Sequence, residues 1–207
     1  MTTPMPVYTA FAGHALLAAG PLAEVALAAR RAADGDAGAA VFIYEDATGR
    51  AIDVDTRGTD AEIVARLPLP LPLPTPVEPE AEAEPEGSPA RPRGRGRPRL
   101  GVVAREVTLL PRHWDWLAGQ PGGASVALRK LVEQARREHA GADALRRGRD
   151  AAYTFMSAAA GNLPGFEEAV RALYAGDAER LAAHMAGWPA DVRAYALRLA
   201  GAADLPA

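Results

Sequence analysis

The sequence predicts an α+β protein. A small N-terminal α/β unit over residues 1–67 leads into a Pro/Glu-rich linker over 68–90. A basic arm over 91–100 and a strand–helix–helix segment over 101–140 follow, and 141–207 form a helical C-terminal region. Three observations carry this reading. Short β-branched and aromatic runs alternate with helical spacing before residue 67. Prolines and then glutamates repeat at every second residue from Pro68 to Ala90. After Ala140, helical patterns succeed one another with Gly, Pro or Asp at their ends.

The first unit reads in the order ββαββα. "VYTAF" and "HALLAAG" are short apolar runs around Gly13. In "LAEVALAARRAAD", Leu22, Val25, Leu27 and Ala28 recur at helical spacing, with Arg30 and Arg31 toward the C-terminal end. "AAVFIYED" is a strand by composition, "ATG" a turn, and "RAIDVD" alternates as a half-buried strand does. Thr59 and Asp60 are the N-cap candidates of "TDAEIVARL".

The linker "PLPLPLPTPVEPEAEAEPEGSPA" loses a backbone donor at each of its prolines, every second residue from Pro68 to Pro76, which excludes a packed helix or a central strand. Its composition suits an extended, disordered spacer. Its glutamates, Glu78, Glu80, Glu82, Glu84 and Glu86, directly precede five arginines. A solvated linker and an acidic arm that screens the basic one both fit. Beyond residue 140, "ADALRRGRDAAYTFMSAAAG", "PGFEEAVRALYAG", "DAERLAAHMAGW" and "PADVRAYALRLAG" read as helices. Phe166, Val170, Leu173 and Tyr174 form an apolar stripe, and Trp188 before Pro189 is placed to staple the last helix.

Composition narrows the function. The chain has 207 residues, a net charge of −3 and no cysteine, so nucleic-acid affinity has to come from a local patch and thiolate chemistry is excluded. No apolar run approaches the ~20 residues that span a bilayer. The N-terminus lacks a positive stretch ahead of an apolar core. Both point to a cytoplasmic protein with no membrane partner. Lys130 is the only lysine among many arginines, a bias that GC-rich codons produce. His14, His113, His139 and His184 lack metal spacing, so no metal or cofactor is expected. Asp53 and Asp55 share a strand face; solvation at the strand end fits them better than a paired acid/base site. No phosphate loop or nucleophile triad is present, and the chain is not expected to be an enzyme.

The basic arm is "RPRGRGRPRL". Its core Arg95-Gly96-Arg97-Pro98, flanked by Arg93 and Arg99, resembles an AT-hook. Glycine lets the backbone lie on a groove floor about 6 Å wide. Proline keeps the chain extended, and the arginines suit the narrow, strongly negative minor groove of A-tracts. The next block has a short strand "AREVTLL", a helix "PRHWDWLAGQ" opened by Pro111, a break "PGG", and a helix "SVALRKLVEQARRE" with Ser125 as N-cap. This order resembles the ribbon-helix-helix DNA-binding proteins. The resemblance implies a homodimer whose paired strands enter the major groove, and helix N–H groups at Ser125 and Val126 offered to a phosphate. Arg105, Val107 and Leu109 lie on one strand face and Glu106, Thr108 and Leu110 on the other. Arg105 and Thr108 are the candidate contacts, and neither face reads bases strongly. A second reading makes this helix pair only a dimerisation or core element.

Over most of its length the chain is similar to an uncharacterised bacterial family, domain of unknown function 2239. The likeness rests on "YTAFAGH", "GRPRLGVVAREVTLLPRHWDWLAGQPGGASVALRKLVEQARR" and "YTFMSAAAGNLPGFEEAVRALYAGDAERL…WPADVRAYALRLA". It implies no activity, but it suggests that the basic block and the helix pair belong together. The expectation is a DNA-binding protein, a transcriptional regulator or nucleoid-associated, acting on A·T-rich double-stranded DNA. The alternatives are a protein-interaction module and, more weakly, an enzyme with a site formed across domains.

Overall fold

The computed structural model describes residues 7–35, 40–67 and 105–202. Among them are four strands and seven helices. They fall into two compact units, one of residues 1–68 with 135–207 and one of 69–134. No helix among the described residues is long and apolar enough to cross a membrane.

The first unit opens with the expected ββαββα order: β1 (Tyr8–Ala12), β2 (Ala15–Gly20), α1 (Leu22–Gly35), β3 (Val41–Glu45), β4 (Ala51–Ile52) and α2 (Asp60–Arg66). The strands form one antiparallel sheet in the order β2-β1-β3-β4. Gly13, at φ +55, makes the tight β1–β2 turn. A register shift at Ala10/Phe11 leaves Leu17 as the extra residue on β2. Strand β4 is shorter than the alternation of "RAIDVD" predicts. Ile52 and Val54 still pack on the core beneath α1, so burial alternates past the point where ladder pairing stops.

Period-2 alternation gives the sheet two apolar faces. Ala10 and Ile43 face α1 and pack with Val25 and Ala29. The buried residues of α1 are Val25, Ala26 and Ala29; Leu27 and Ala28 are only half-buried. Phe11 and Tyr44 point the other way, into a core shared with the C-terminal helices. Segments 1–67 and 141–207, separate in the sequence reading, thus contribute to one core. Its centre is aromatic. Phe155 lies 4.9 Å from Tyr44 and 4.5 Å from Tyr195, ring centre to ring centre, both edge-on, and Phe11 lies 5.4 Å from Tyr195. Such pairs add about 0.5–1.5 kcal/mol each beyond area burial.

The helices are α3 (Pro111–Ala118), α4 (Gly123–Ala159), α5 (Phe166–Ala175), α6 (Ala178–His184) and α7 (Ala190–Leu199). The expected break after Ala140 is absent, and α4 runs through it as one helix of 37 residues. Gly141 and Gly148 each cost only about 1 kcal/mol relative to Ala, too little to end a helix packed further along. At Gly148 the lack of a side chain has a packing use: a Cβ there would sit 2.6 Å from the Leu199 carbonyl oxygen. The stripe on α5 also differs in part. Ala169, Ala172 and Leu173 are buried, whereas Tyr174 is exposed and meets the Tyr153 ring at 5.9 Å. Trp188 is buried as expected and donates its indole N–H to the Pro164 carbonyl at 2.9 Å.

Candidate nucleic-acid interface

In the second unit Pro111 is the first residue of α3, where its missing N–H costs nothing. The Leu110 carbonyl accepts from His113 at 2.8 Å, and Gly119 closes the helix. Gln120 then ties the turn. Its N–H donates to Leu117 at 3.2 Å, its carbonyl accepts from Gly123 at 2.9 Å, and its side-chain amide donates to Trp116 at 3.3 Å. Gly122, at φ +86, reverses the chain into α4.

Apolar side chains in this unit are mostly uncovered. Leu117 and Ala127 are buried, but Val107, Leu110, Trp114, Trp116, Leu131 and Val132 are between 41% and 56% exposed. Single exposed apolar residues are ordinary; this many on one helix pair and its lead-in exceed the scattered few of an ordinary surface.

Arg93, Arg95, Gly96, Arg97, Pro98 and Arg99 lie outside the described residues, as does the linker 68–90. Arg105 and Thr108 are exposed, in a segment that forms no strand. Over its described part, 105–110, the strand expected at 104–110 is absent, and no segment among the described residues pairs with it. Ser125 is not the N-cap. Helix α4 begins two residues earlier, at Gly123, which places the exposed Ser125 in the first turn, among the N–H groups that lack an i−4 partner. The Ser125 carbonyl accepts from Arg129 Nε at 3.1 Å.

The other sequence candidates resolve simply. Thr59 caps α2 in a reciprocal capping box with Glu62, and the hydrogen bonds from Thr59 hold the Glu62 carboxyl below its usual range. Asp53 and Asp55 lie beyond β4. Asp55 is gripped by Arg57 at 2.9 Å, with Arg66 at 3.5 Å. The Arg57 hydrogen bonds lower its pKa to about 2, which suits an ion pair and not a general base. All four histidines are exposed, and no group among the described residues has the makings of a metal site.

One polar centre in the first unit has no local signal in the sequence. Asp46, in the β3–β4 turn, accepts from Thr9 Oγ1, from the Tyr195 hydroxyl and from Arg198 Nη1, each at 2.8 Å. Arg198 Nη2 also donates to Thr9 Oγ1 at 3.2 Å, and its guanidinium lies 4.8 Å from the Tyr195 ring centre. Burial, followed by the Asp46 charge, raises the Tyr195 pKa well above the usual phenol range. Beside this centre a crevice of about 250 Å³ opens between β2 and α7.

These features define a mixed α+β protein with a partly uncovered helix pair. The chain belongs to the family described as "Uncharacterized protein conserved in bacteria (DUF2239)", which it matches over residues 7–200. Neither a curated protein nor a solved structure matches it.

Proposed function

We propose that the protein is a non-enzymatic, homodimeric binder of A·T-rich double-stranded DNA, a transcriptional regulator or nucleoid-associated protein of the cytoplasm. In this reading the 104–110 segments of two copies pair as an antiparallel ribbon over α3 and α4. Arg95 and Arg97 enter the minor groove, and Gly96 and Pro98 keep the backbone between them low and extended. Arg93 and Arg99 meet phosphates. Arg105, Thr108 and the first turn of α4 at Ser125 add contacts beside the arm.

The observation that carries the reading is the uncovered surface of Val107, Leu110, Trp114, Trp116, Leu131 and Val132, next to a segment without a ladder partner among the described residues. A second copy would supply both a strand partner and an apolar cover. The Arg-Gly-Arg-Pro arm lies directly upstream. The same surface also supports a second reading, a module that takes an unrelated protein.

The test is binding of the full chain to A·T-rich and G·C-rich duplexes of equal length at two salt concentrations. Arg97→Ala should reduce the preference for A·T as well as the affinity. Arg99→Ala should weaken both duplexes equally and reduce the slope of log K against log salt by about 0.9, one phosphate contact. Light scattering should give twice the 21.7 kDa chain mass, and Thr108→Pro should return the monomer. A monomeric wild-type chain that binds neither duplex at low salt would retire this reading in favour of the protein-interaction module.

A further inference from the structure

We propose that the crevice between β2 and α7 binds a small zwitterion whose amine and carboxylate are several bonds apart, the chemistry of a dipeptide or an ω-amino acid. The site lies wholly within the first unit and is independent of the DNA reading. Its volume of about 250 Å³ is many times the roughly 30 Å³ share of one water and close to the lower end of small-ligand pockets. Thr9 and Ala19 line it from the sheet, Leu16 and Ala194 supply apolar walls, and the Tyr195 ring completes it from α7. This is the usual make-up of a ligand site: mainly apolar walls with a few fixed polar groups.

One end of the crevice presents the Asp191 carboxylate and the other the Arg198 guanidinium, which is itself paired with Asp46. At one end Asp191 Oδ2 accepts the Leu16 backbone N–H at 2.8 Å, and Oδ1 has no partner among the described residues. At the other end Arg198 is fixed by Asp46 and Thr9, while its side chain remains 47% exposed, so its other N–H groups can reach a ligand. Asp191 and Arg198 are seven residues apart on one helix. They therefore share a face, with Cα atoms about 10.5 Å apart along the axis. An α-amino acid, whose charges sit on one carbon, is too short to engage both. A single-charge ligand leaves one end unused. Because Arg198 is already held in place, little side-chain entropy is lost on binding.

The test is calorimetry on the full chain with 6-aminohexanoate and alanylalanine as probes, and hexylamine and hexanoate as single-charge controls. At least one zwitterion should bind, with both controls at least tenfold weaker; which zwitterion binds separates the two sources. Asp191→Asn keeps an acceptor for the Leu16 N–H but removes the charge, and should weaken binding at least tenfold. Ala194→Leu fills the crevice from an exposed helix position and should abolish binding without lowering the melting temperature. Failure of both zwitterions to bind at millimolar concentration overturns the proposal. So does equal binding by hexylamine or hexanoate, or binding left intact by both substitutions.

Discussion

Gly49→Ala is the most informative single perturbation of the first unit. Gly49 closes the β3–β4 turn, its N–H donating to the Glu45 carbonyl at 2.8 Å, with φ at +66. A Cβ there would lie 1.9 Å from the Ala151 carbonyl oxygen and 2.7 Å from its carbon. Both are backbone atoms of α4, and the residues next along that helix, Ala152, Phe155 and Met156, are fully buried. Neither side yields easily. The left-handed backbone costs a Cβ-bearing residue about 1–2 kcal/mol, and forcing an extra methyl against a packed helix about 1–3 kcal/mol more. The expected loss is about 2–5 kcal/mol, a large fraction of the roughly 5–15 kcal/mol that holds a typical domain folded.

Thermal unfolding followed by circular dichroism reads this directly. At about 2–4 °C per kcal/mol for a chain of this size, Gly49→Ala should lower Tm by roughly 5–15 °C. Gly13→Ala is the control, because its φ of +55 is similar while an added Cβ meets nothing within 4 Å. It should show the conformational cost alone, about 1–2 kcal/mol. Equal Tm for the two variants would refute the close seating of the turn on α4.

Asp46→Ala removes the shared acceptor of Thr9, Tyr195 and Arg198. With Arg198 discounted for its exposure, the loss should be about 3 kcal/mol by urea denaturation; a loss under about 1 kcal/mol would mean the centre is not formed. Tyr195 keeps its proton longer folded than unfolded, where its pKa is near 10.0. Its contribution is therefore fully present below pH 10 and is lost as pH rises through the folded value; Tyr195→Phe should flatten the alkaline fall in stability by up to about 1.4 kcal/mol per pH unit. Trp114 and Trp116 are exposed and Trp188 is buried. If two copies cover the helix pair, raising the concentration should shift tryptophan emission to the blue and reduce iodide quenching; concentration-independent quenching would count against that interface.

The parts of the fold legible in the sequence are those set by local spacing. Apolar and β-branched composition over "VYTAF" and "AAVFIYED" identifies the strands, and Thr59 as an N-cap candidate marks the start of α2. Composition does not say what covers each face. Phe11 and Tyr44 point toward helices that begin far along the chain, and only tertiary packing joins them. Long helix α4 escapes local reasoning for a related reason. Gly141 carries a weak local penalty, and continuity through it is decided by the packed residues beyond Asp150.

The candidate sites divide along the same line. An arginine arm is legible because its chemistry is contiguous, with Arg95, Gly96, Arg97 and Pro98 adjacent in the chain. The Asp46 centre is illegible because its members are scattered. Asp46 reads as a turn residue, Thr9 as a strand residue and Arg198 as a helix-end cation, each with an adequate local explanation. They meet only because β1 lies between β2 and β3 and α7 crosses that face, bringing Tyr195 to Asp46 over 149 positions of sequence. The same folding step opens the crevice: Asp191 reaches the Leu16 N–H at one end of α7, while Arg198 is held by Asp46 and Thr9 at the other. A site of this kind depends on the helix being pinned at both ends. Loosening either pin should therefore alter the crevice before it unfolds the sheet, since the aromatic core of Phe11, Tyr44, Phe155 and Tyr195 remains packed.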